Sequence, residues 1–396
     1  MPIPTPFYPR EQALSESHDW RDWSGYIAAS LYEPLHDREY YSIRNSAALI
    51  DVSPLYKYDI HGADAARLVD RIITRHAAAS IVGQVFYTPW CDDDGKVIDD
   101  GTVTRLDKDH FRITAAEPNL AWFQDCAYGM QVQIRDVSAD LAALALQGPK
   151  SSEILQRTLS DIDITALKYY HSTPACLKDI PLYVSRTGYT GDLGYELWIA
   201  PDRALDLWDT LLKNGDAYGI TPAGMLALDV ARIEAGLVMI QVDYISSRKS
   251  LIEDQKSSPY EIGMGWAVDL MKKEFIGRKA LATEKNRGSK WLLTGVDVEW
   301  TSLESIYAKF DLTPRVAGRA SRSAVPVYKD GRQVGQMTSH TFSPVLKKYI
   351  GIATVERKYA GFGSRVSVEV TVEYTRQKAD AKLVKLPFYN PPRKRA

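Results

Sequence analysis

Residues 181–200 read PLYVSRTGYTGDLGYELWIA. PLYVSR and GYELWIA have the apolar and aromatic content of two strands. The glycine-rich TGYTGDL between them predicts a hairpin with a wide connection. In the second strand, alternation sets Tyr195, Leu197 and Ile199 on one face and Glu196 with Trp198 on the other. A carboxylate beside an indole suits a flat heterocycle whose edge offers paired N–H donors. The plainer alternative is an exposed Glu on a half-buried strand.

Upstream, residues 62–79 carry Ala65, Leu68, Val69, Ile72 and Ile73 at helical spacing. The period then shortens. QVFYTPWC, KVIDDGTVTRL and HFRITA, separated by turns at DDDG and DKD, predict a three-strand meander over 84–115. Asp99 and Asp100 therefore fall inside the second strand, one facing inward and one outward. A buried carboxylate is costly without a partner or a task, so the pair reads either as a functional acid or as a solvated hairpin flank. A short helix is expected over 149–159. A second is capped by Asp202 and stopped by Gly215, and a third starts at Thr221-Pro222 and runs through GMLALDVARIEAGL. On that third helix Asp229 and Arg232 stand three residues apart, close enough to pair. Residues 283–290, TEKNRGSK, read as a linker. Beyond them an Asp330-Gly331 hairpin and RVSVEVTVEY, with Val366, Val368, Val370, Val372 and Tyr374 on one face, predict an all-β unit.

Composition narrows the function. At 396 residues the chain suggests roughly two to three domains. Hydrophobic residues at 45% and charged residues at 25% describe a packed globular protein. Lys+Arg 49 against Asp+Glu 50 leaves a net charge of -1, so no field favours nucleic acid. Three scattered cysteines and seven dispersed histidines give neither a disulfide framework nor a metal-ligand spacing, and no metal is expected. No run of about 18 apolar residues spans a membrane, and the N-terminal segment lacks signal-peptide character. A cytoplasmic location is expected. GxGxxG, Walker and GxSxG signatures are missing.

In order along the chain, a series of motifs resembles the glycine-cleavage T-protein (aminomethyltransferase) superfamily. They are EYYSIRNSAALIDVS (39–53), GKVIDDGTV (95–103), LALQGPKS (144–151), RTGYTGDLGYELWI (186–199), DVARIEAGL (229–237), MGWAVDL (264–270) and FIGRKAL (275–281). VGQMTSHTFSPVLKKYIGIA (334–353) and LPFYNP (386–391) complete it. The resemblance implies an α+β fold. It has a folate-binding region of two entwined subdomains over 1–285 and a C-terminal β-barrel over 290–396, arranged as a three-leafed ring around a central channel. It implies tetrahydrofolate as cofactor. Asp99 is then expected beside the reactive folate nitrogens, Glu196 on the pterin edge, and Tyr189 and Arg232 in the cofactor pocket. Arg105, which shares the facing of Asp99, is a candidate for a substrate carboxylate.

Four places depart from the aminomethyltransferase pattern. Leu228 stands where T-proteins usually carry Arg. Ser53-Pro54-Leu55 replaces Ser-His-Met, Ala116 replaces a frequent Asn, and LVMIQVDYISSRKS follows the shared EAG. ALDVARIEAGL with VDYISSRKS resembles the tetrahydrofolate-dependent O-demethylases of vanillate and syringate, which implies that Tyr244 acts at a methyl ether. A positioned phenol can supply the proton that a departing alkoxide or phenoxide needs. The expectation is a tetrahydrofolate-dependent one-carbon transferase, foremost a demethylase acting on a small methyl donor. One alternative is an aminomethyltransferase partnered by a lipoyl-carrier protein. Another is a non-catalytic folate-binding regulator.

Overall fold

The computed structural model describes residues 1–315 and 318–396 and divides into two compact units. The first holds residues 1–88, 99–231 and 390–396; the second holds 89–98 and 232–389. The fold class is α+β, as expected.

Two sheets organise the first unit. In the six-stranded sheet the strands run Ser172–Leu177, Ile180–Ser185, Gly194–Ile199, Ala142–Gln147, Ala47–Asp51, Ile220–Pro222. All neighbours are antiparallel except the last pair, which is parallel. Ala142–Gln147 is buried at every position, the mark of a central strand covered on both faces. Leu144, Leu146, Leu197 and Trp208 are sealed from solvent in this core. Each side chain of that size contributes about 1.5–3 kcal/mol by leaving water.

The predicted meander is present as Val85–Cys91, Val97–Asp107 and His110–Ala115. The third of these strands pairs with Tyr56–His61, which in turn pairs with Gln133–Asp136. Among the described residues no helix is long and apolar enough to cross a membrane.

The second unit contains a closed six-stranded barrel built from Trp291–Val298, Lys348–Glu356, Arg332–Ser343, Val325–Lys329, Arg365–Val372 and Thr375–Val384. Closure leaves no open sheet edge. Inside lie Val296, Val327, Val355, Val368 and Leu383. The Asp330-Gly331 turn is present, with φ of 49° and 79°, the left-handed pair a two-residue hairpin needs.

Several local expectations change. The helix expected over 62–79 is confined to Ala65–Ile72, because the Asp70 carboxylate accepts the backbone N–H groups of Ala77 and Ala78 and folds 73–78 into a turn. Thr221-Pro222 does not open a helix: Ile220–Pro222 is an edge strand, where a missing proline N–H costs no ladder bond, and the helix is Met225–Glu234. Asp202 gives no cap; the helix Ala204–Gly215 has Arg203 at its N-cap after a 3-10 turn. The linker expected over 283–290 is largely helical, since Arg278–Arg287 is a helix ended by Gly288 at φ +83°. Tyr374 lies in the turn after Arg365–Val372, at φ 60°, rather than on its apolar face.

Candidate active site

The segment TGYTGDLGY wraps around one buried side chain. Gln147 Nε2 donates to the carbonyls of Thr187 at 3.1 Å and Tyr195 at 3.3 Å, and its Oε1 accepts from Thr190 Oγ1 at 2.8 Å. A Cβ at Gly188 would stand 2.0 Å from Gln147 Oε1, and one at Gly194 would stand 2.3 Å from its Cδ. Both glycines are therefore required by close approach, and the loop they permit places Thr187 over Glu196.

Thr187 Oγ1 donates to Glu196 Oε2 at 2.6 Å and lies 2.8 Å from Ser185 Oγ. Burial pushes the Glu196 carboxyl above its ordinary range, against the Thr187 bond, which favours the ionised form. Glu196 Oε1 has no protein donor among the described residues. A small cavity lies in front of it, with Trp198 and Tyr183 from the six-stranded sheet and Thr102, Thr104 and Arg112 from the five-stranded one.

The two acids of VIDD divide their roles by facing. Asp99 is fully buried. Its Oδ1 accepts from the Asp100 amide at 2.8 Å, and its Oδ2 from the Glu117 amide at 3.0 Å and Asn119 Nδ2 at 2.9 Å. Burial, then the charge of Asp100, raises the Asp99 carboxyl well above the usual range.

Asp100 is half-buried and shares its strand face with Thr102 and Thr104, which line the cavity. Its Oδ2 accepts from Tyr87 Oη at 2.5 Å. Burial raises the Tyr87 phenol, and the charge of Asp100 and the neighbouring Tyr189 and Tyr170 raise it further, so it stays protonated and donates. Tyr170 in turn is raised by burial, by Tyr169 and by Glu196. Tyr87, Asp100, Tyr170, Tyr189 and Glu196 are thus one electrostatic neighbourhood.

The remaining expected residues have other surroundings. Arg105 is stacked over Phe111 at 5.3 Å, and its guanidinium donates to the carbonyls of Ser80, Asp107 at 3.4 Å and Lys108 at 2.8 Å. A guanidinium held by three carbonyls clamps the loop around it. Arg232, in the second unit, is fully buried. Nη1 donates to Asp243 Oδ2 at 2.7 Å and Nη2 to Ser339 Oγ at 2.8 Å. It is thus held in a buried ion pair with Asp243. Tyr244, also in the second unit, is 3% exposed, and its carbonyl accepts from the Gln241 amide at 2.7 Å.

Sequence reasoning paired Asp100 with Asp99 but gave it no role of its own, and it passed over Tyr87, Tyr170 and Asn119. For Asp100 alternation showed that it faces away from Asp99, but not which of the two faces the cavity. Asn119 lies three residues beyond Ala116, where the frequent Asn is missing, and it serves Asp99.

A half-buried carboxylate, an indole and the Tyr183 phenol around this cavity make a site for a flat, hydrogen-bonding small molecule, in an α+β chain that closes with a barrel. The chain belongs to the glycine cleavage T-protein family. Residues 8–272 match the GCVT N-terminal domain, and residues 310–390 match the glycine cleavage T-protein C-terminal barrel domain. It is 33% identical over 355 residues to an aminomethyltransferase of Halothermothrix orenii, covering 88% of this chain and 90% of that one. It is 32% identical over 389 residues to the aminomethyltransferase of Thermotoga neapolitana, covering 97% of each. The fold matches the glycine cleavage system aminomethyltransferase T of Bartonella henselae with a TM-score of 0.83 at 21% identity, over 98% of this chain and 99% of that one.

Membership carries two expectations with it: the chain is an enzyme, and its cofactor is tetrahydrofolate. The residues fit that group. Glu196 presents an unengaged acceptor to the cavity, and Trp198 and Tyr183 beside it offer flat surfaces with polar tips.

Proposed function

We propose that the chain transfers a one-carbon unit to tetrahydrofolate as an aminomethyltransferase, with a lipoyl-carrier protein presenting the aminomethyl group. The observation that carries this reading is Glu196, a carboxylate raised by burial, held at one oxygen by Thr187 and open at the other toward a cavity. Similarity to named aminomethyltransferases over nine-tenths of the chain supports the transfer chemistry.

Tetrahydrofolate, when bound, supplies the nitrogen that accepts the one-carbon unit. Glu196 would take the paired N–H donors of the pterin edge, and Tyr189 would shape the pocket beside it. Asp100, rather than Asp99, would face the reacting nitrogens. Its carboxylate, oriented by Tyr87 at Oδ2, would accept a proton released there. Asp99 would position Asp100, through the backbone amide it accepts and through Asn119.

A second reading, demethylation of a methoxy or N-methyl compound, is favoured by Leu228. It is a buried, uncharged residue at the place where the family resemblance expects Arg. Tyr244 would then assist the leaving group.

One experiment separates the two. Purified protein with tetrahydrofolate is given either the aminomethyl-loaded lipoyl carrier or a panel of methoxy and N-methyl compounds. Ammonia with methylene-tetrahydrofolate from the first supports the proposal. Its absence, with methyl-tetrahydrofolate from the panel, transfers the assignment to demethylation.

A further inference from the structure

Beside Arg112 of the cavity wall, two strands of the five-stranded sheet bring three metal-competent side chains together. Tyr56–His61 and His110–Ala115 are antiparallel, with Asp59 opposite Arg112 and His61 opposite His110. Residues two apart on a strand share a face, so all four side chains lie on one side. The two imidazoles are stacked, with centroids 3.6 Å apart at 27°. His110 Nε2 lies 3.1 Å from Asp59 Oδ2, and His61 Nε2 lies 4.0 Å from the same oxygen. His110 Nε2 is buried against this carboxylate. One ligand atom from each residue falls within 4.8 Å of the others.

We propose that Asp59, His61 and His110 form a binding site for one divalent transition-metal ion, bridging two strands of this sheet. Bonds of about 2.0–2.2 Å from a zinc-like ion to imidazole nitrogen and carboxylate oxygen put neighbouring donors roughly 3 Å apart. The pair at 3.1 Å already meets that, and His61, whose side chain is 43% exposed, has room to close the remaining gap.

Two imidazoles and one carboxylate select zinc, cobalt or nickel over magnesium or calcium, which prefer all-oxygen sites. Arg112 donates Nε to Asp59 Oδ1 at 2.7 Å and Nη2 to Oδ2 at 2.9 Å, which fixes the carboxylate while leaving Oδ2 a lone pair. Arg135 faces Asp59 from the other neighbouring strand. These cations weaken a purely electrostatic ion, so the site depends on nitrogen ligation.

The test uses the full chain, stripped with chelator and titrated with cobalt(II) while visible absorption is followed. The expected result is one cobalt per chain, with absorption displaced by zinc(II). Zinc(II) alone should raise the melting temperature. His61→Ala removes an exposed ligand and leaves the core intact; it should weaken cobalt binding about tenfold or more and abolish the zinc-dependent melting shift. His110→Ala, checked by circular dichroism, should do the same. Absence of cobalt binding in the parent would overturn the site, leaving a stacked cross-strand pair. So would unchanged affinity in His61→Ala, which would put the ion elsewhere.

Discussion

Asp99 and Asp100 turn to opposite faces of one strand, and the amide of Asp100 donates to the carboxylate of Asp99 at 2.8 Å. The buried acid thus fixes the backbone that aims the half-buried one. Their amide substitutions should separate accordingly. Asp100→Asn removes an ionisable acceptor beside Tyr87 and should lower turnover on the order of 10² while the melting temperature holds. Asp99→Asn places an NH₂ group among three N–H donors. It should cost about 1–3 kcal/mol of stability, with the smaller effect on turnover. Thermal melts and single-turnover rates on both variants decide it. A reversed pattern would return the catalytic role to Asp99.

At Glu196 the charge and the hydrogen-bond geometry make the same prediction. Glu196→Gln keeps the side-chain shape and lets Thr187 still donate to an oxygen, but it replaces one acceptor by a donor facing the cavity. Hydrogen bonds to a charged partner contribute about 1.5–3 kcal/mol, so tetrahydrofolate affinity should fall about tenfold or more. The readout is the melting shift that tetrahydrofolate produces. An undiminished shift in the variant would remove Glu196 from the pterin edge.

Much of this architecture is legible from periodicity. The meander and the barrel strands follow from alternation, and the Asp330-Gly331 turn from its two residue types. Alternation also shows that Asp99 and Asp100 part company, yet it cannot say which face is covered; that depends on Asn119 and on sheets that meet only in the fold. Gln147 explains Gly188 and Gly194 from some 40 residues away in sequence, a distance no local pattern crosses. The signal at Thr221-Pro222 misleads because a proline without an N–H suits a helix start and an edge strand equally.

Arg232 illustrates the same limit, since its partner Asp243 lies beyond the end of its helix. Asp243 Oδ1 also accepts from Thr338 Oγ1 at 2.5 Å and Ser339 Oγ at 2.7 Å, and Oδ2 from the Met239 amide at 2.8 Å. Arg232→Ala leaves that carboxylate buried without its counter-charge and should cost about 3–5 kcal/mol. Arg232→Lys retains the charge without the fork and should cost less. Chemical denaturation ranks the three proteins. If Arg232→Lys kept full stability but lost tetrahydrofolate affinity, the residue would be a cofactor ligand after all.

The last prediction concerns a buried acid in the first unit. Glu11 is 1% exposed; Tyr32 Oη donates to its Oε1 at 2.9 Å, while Oε2 has no hydrogen-bond partner. Burial, and then the charge of Asp51, raise the Glu11 carboxyl well above its ordinary value, with Tyr32 and Thr5 opposing. Asp51 is itself raised by burial, and its Oδ2 is likewise without a partner. A carboxyl whose folded pKa lies above its unfolded one binds more protons when folded. Its contribution to stability is therefore full below about pH 4, the unfolded value, and is lost as pH rises toward the folded value. Glu11→Gln removes the ionisation while keeping the Tyr32 acceptor, and it offers an N–H donor toward the same region. The variant should melt higher than the parent at pH 8, should match it more closely at pH 4, and should show a flatter dependence between them. Melting curves across that range check it. Parallel curves for the two proteins would mean that Glu11 is already ionised and solvated in the fold, and that its neighbours carry the pH dependence.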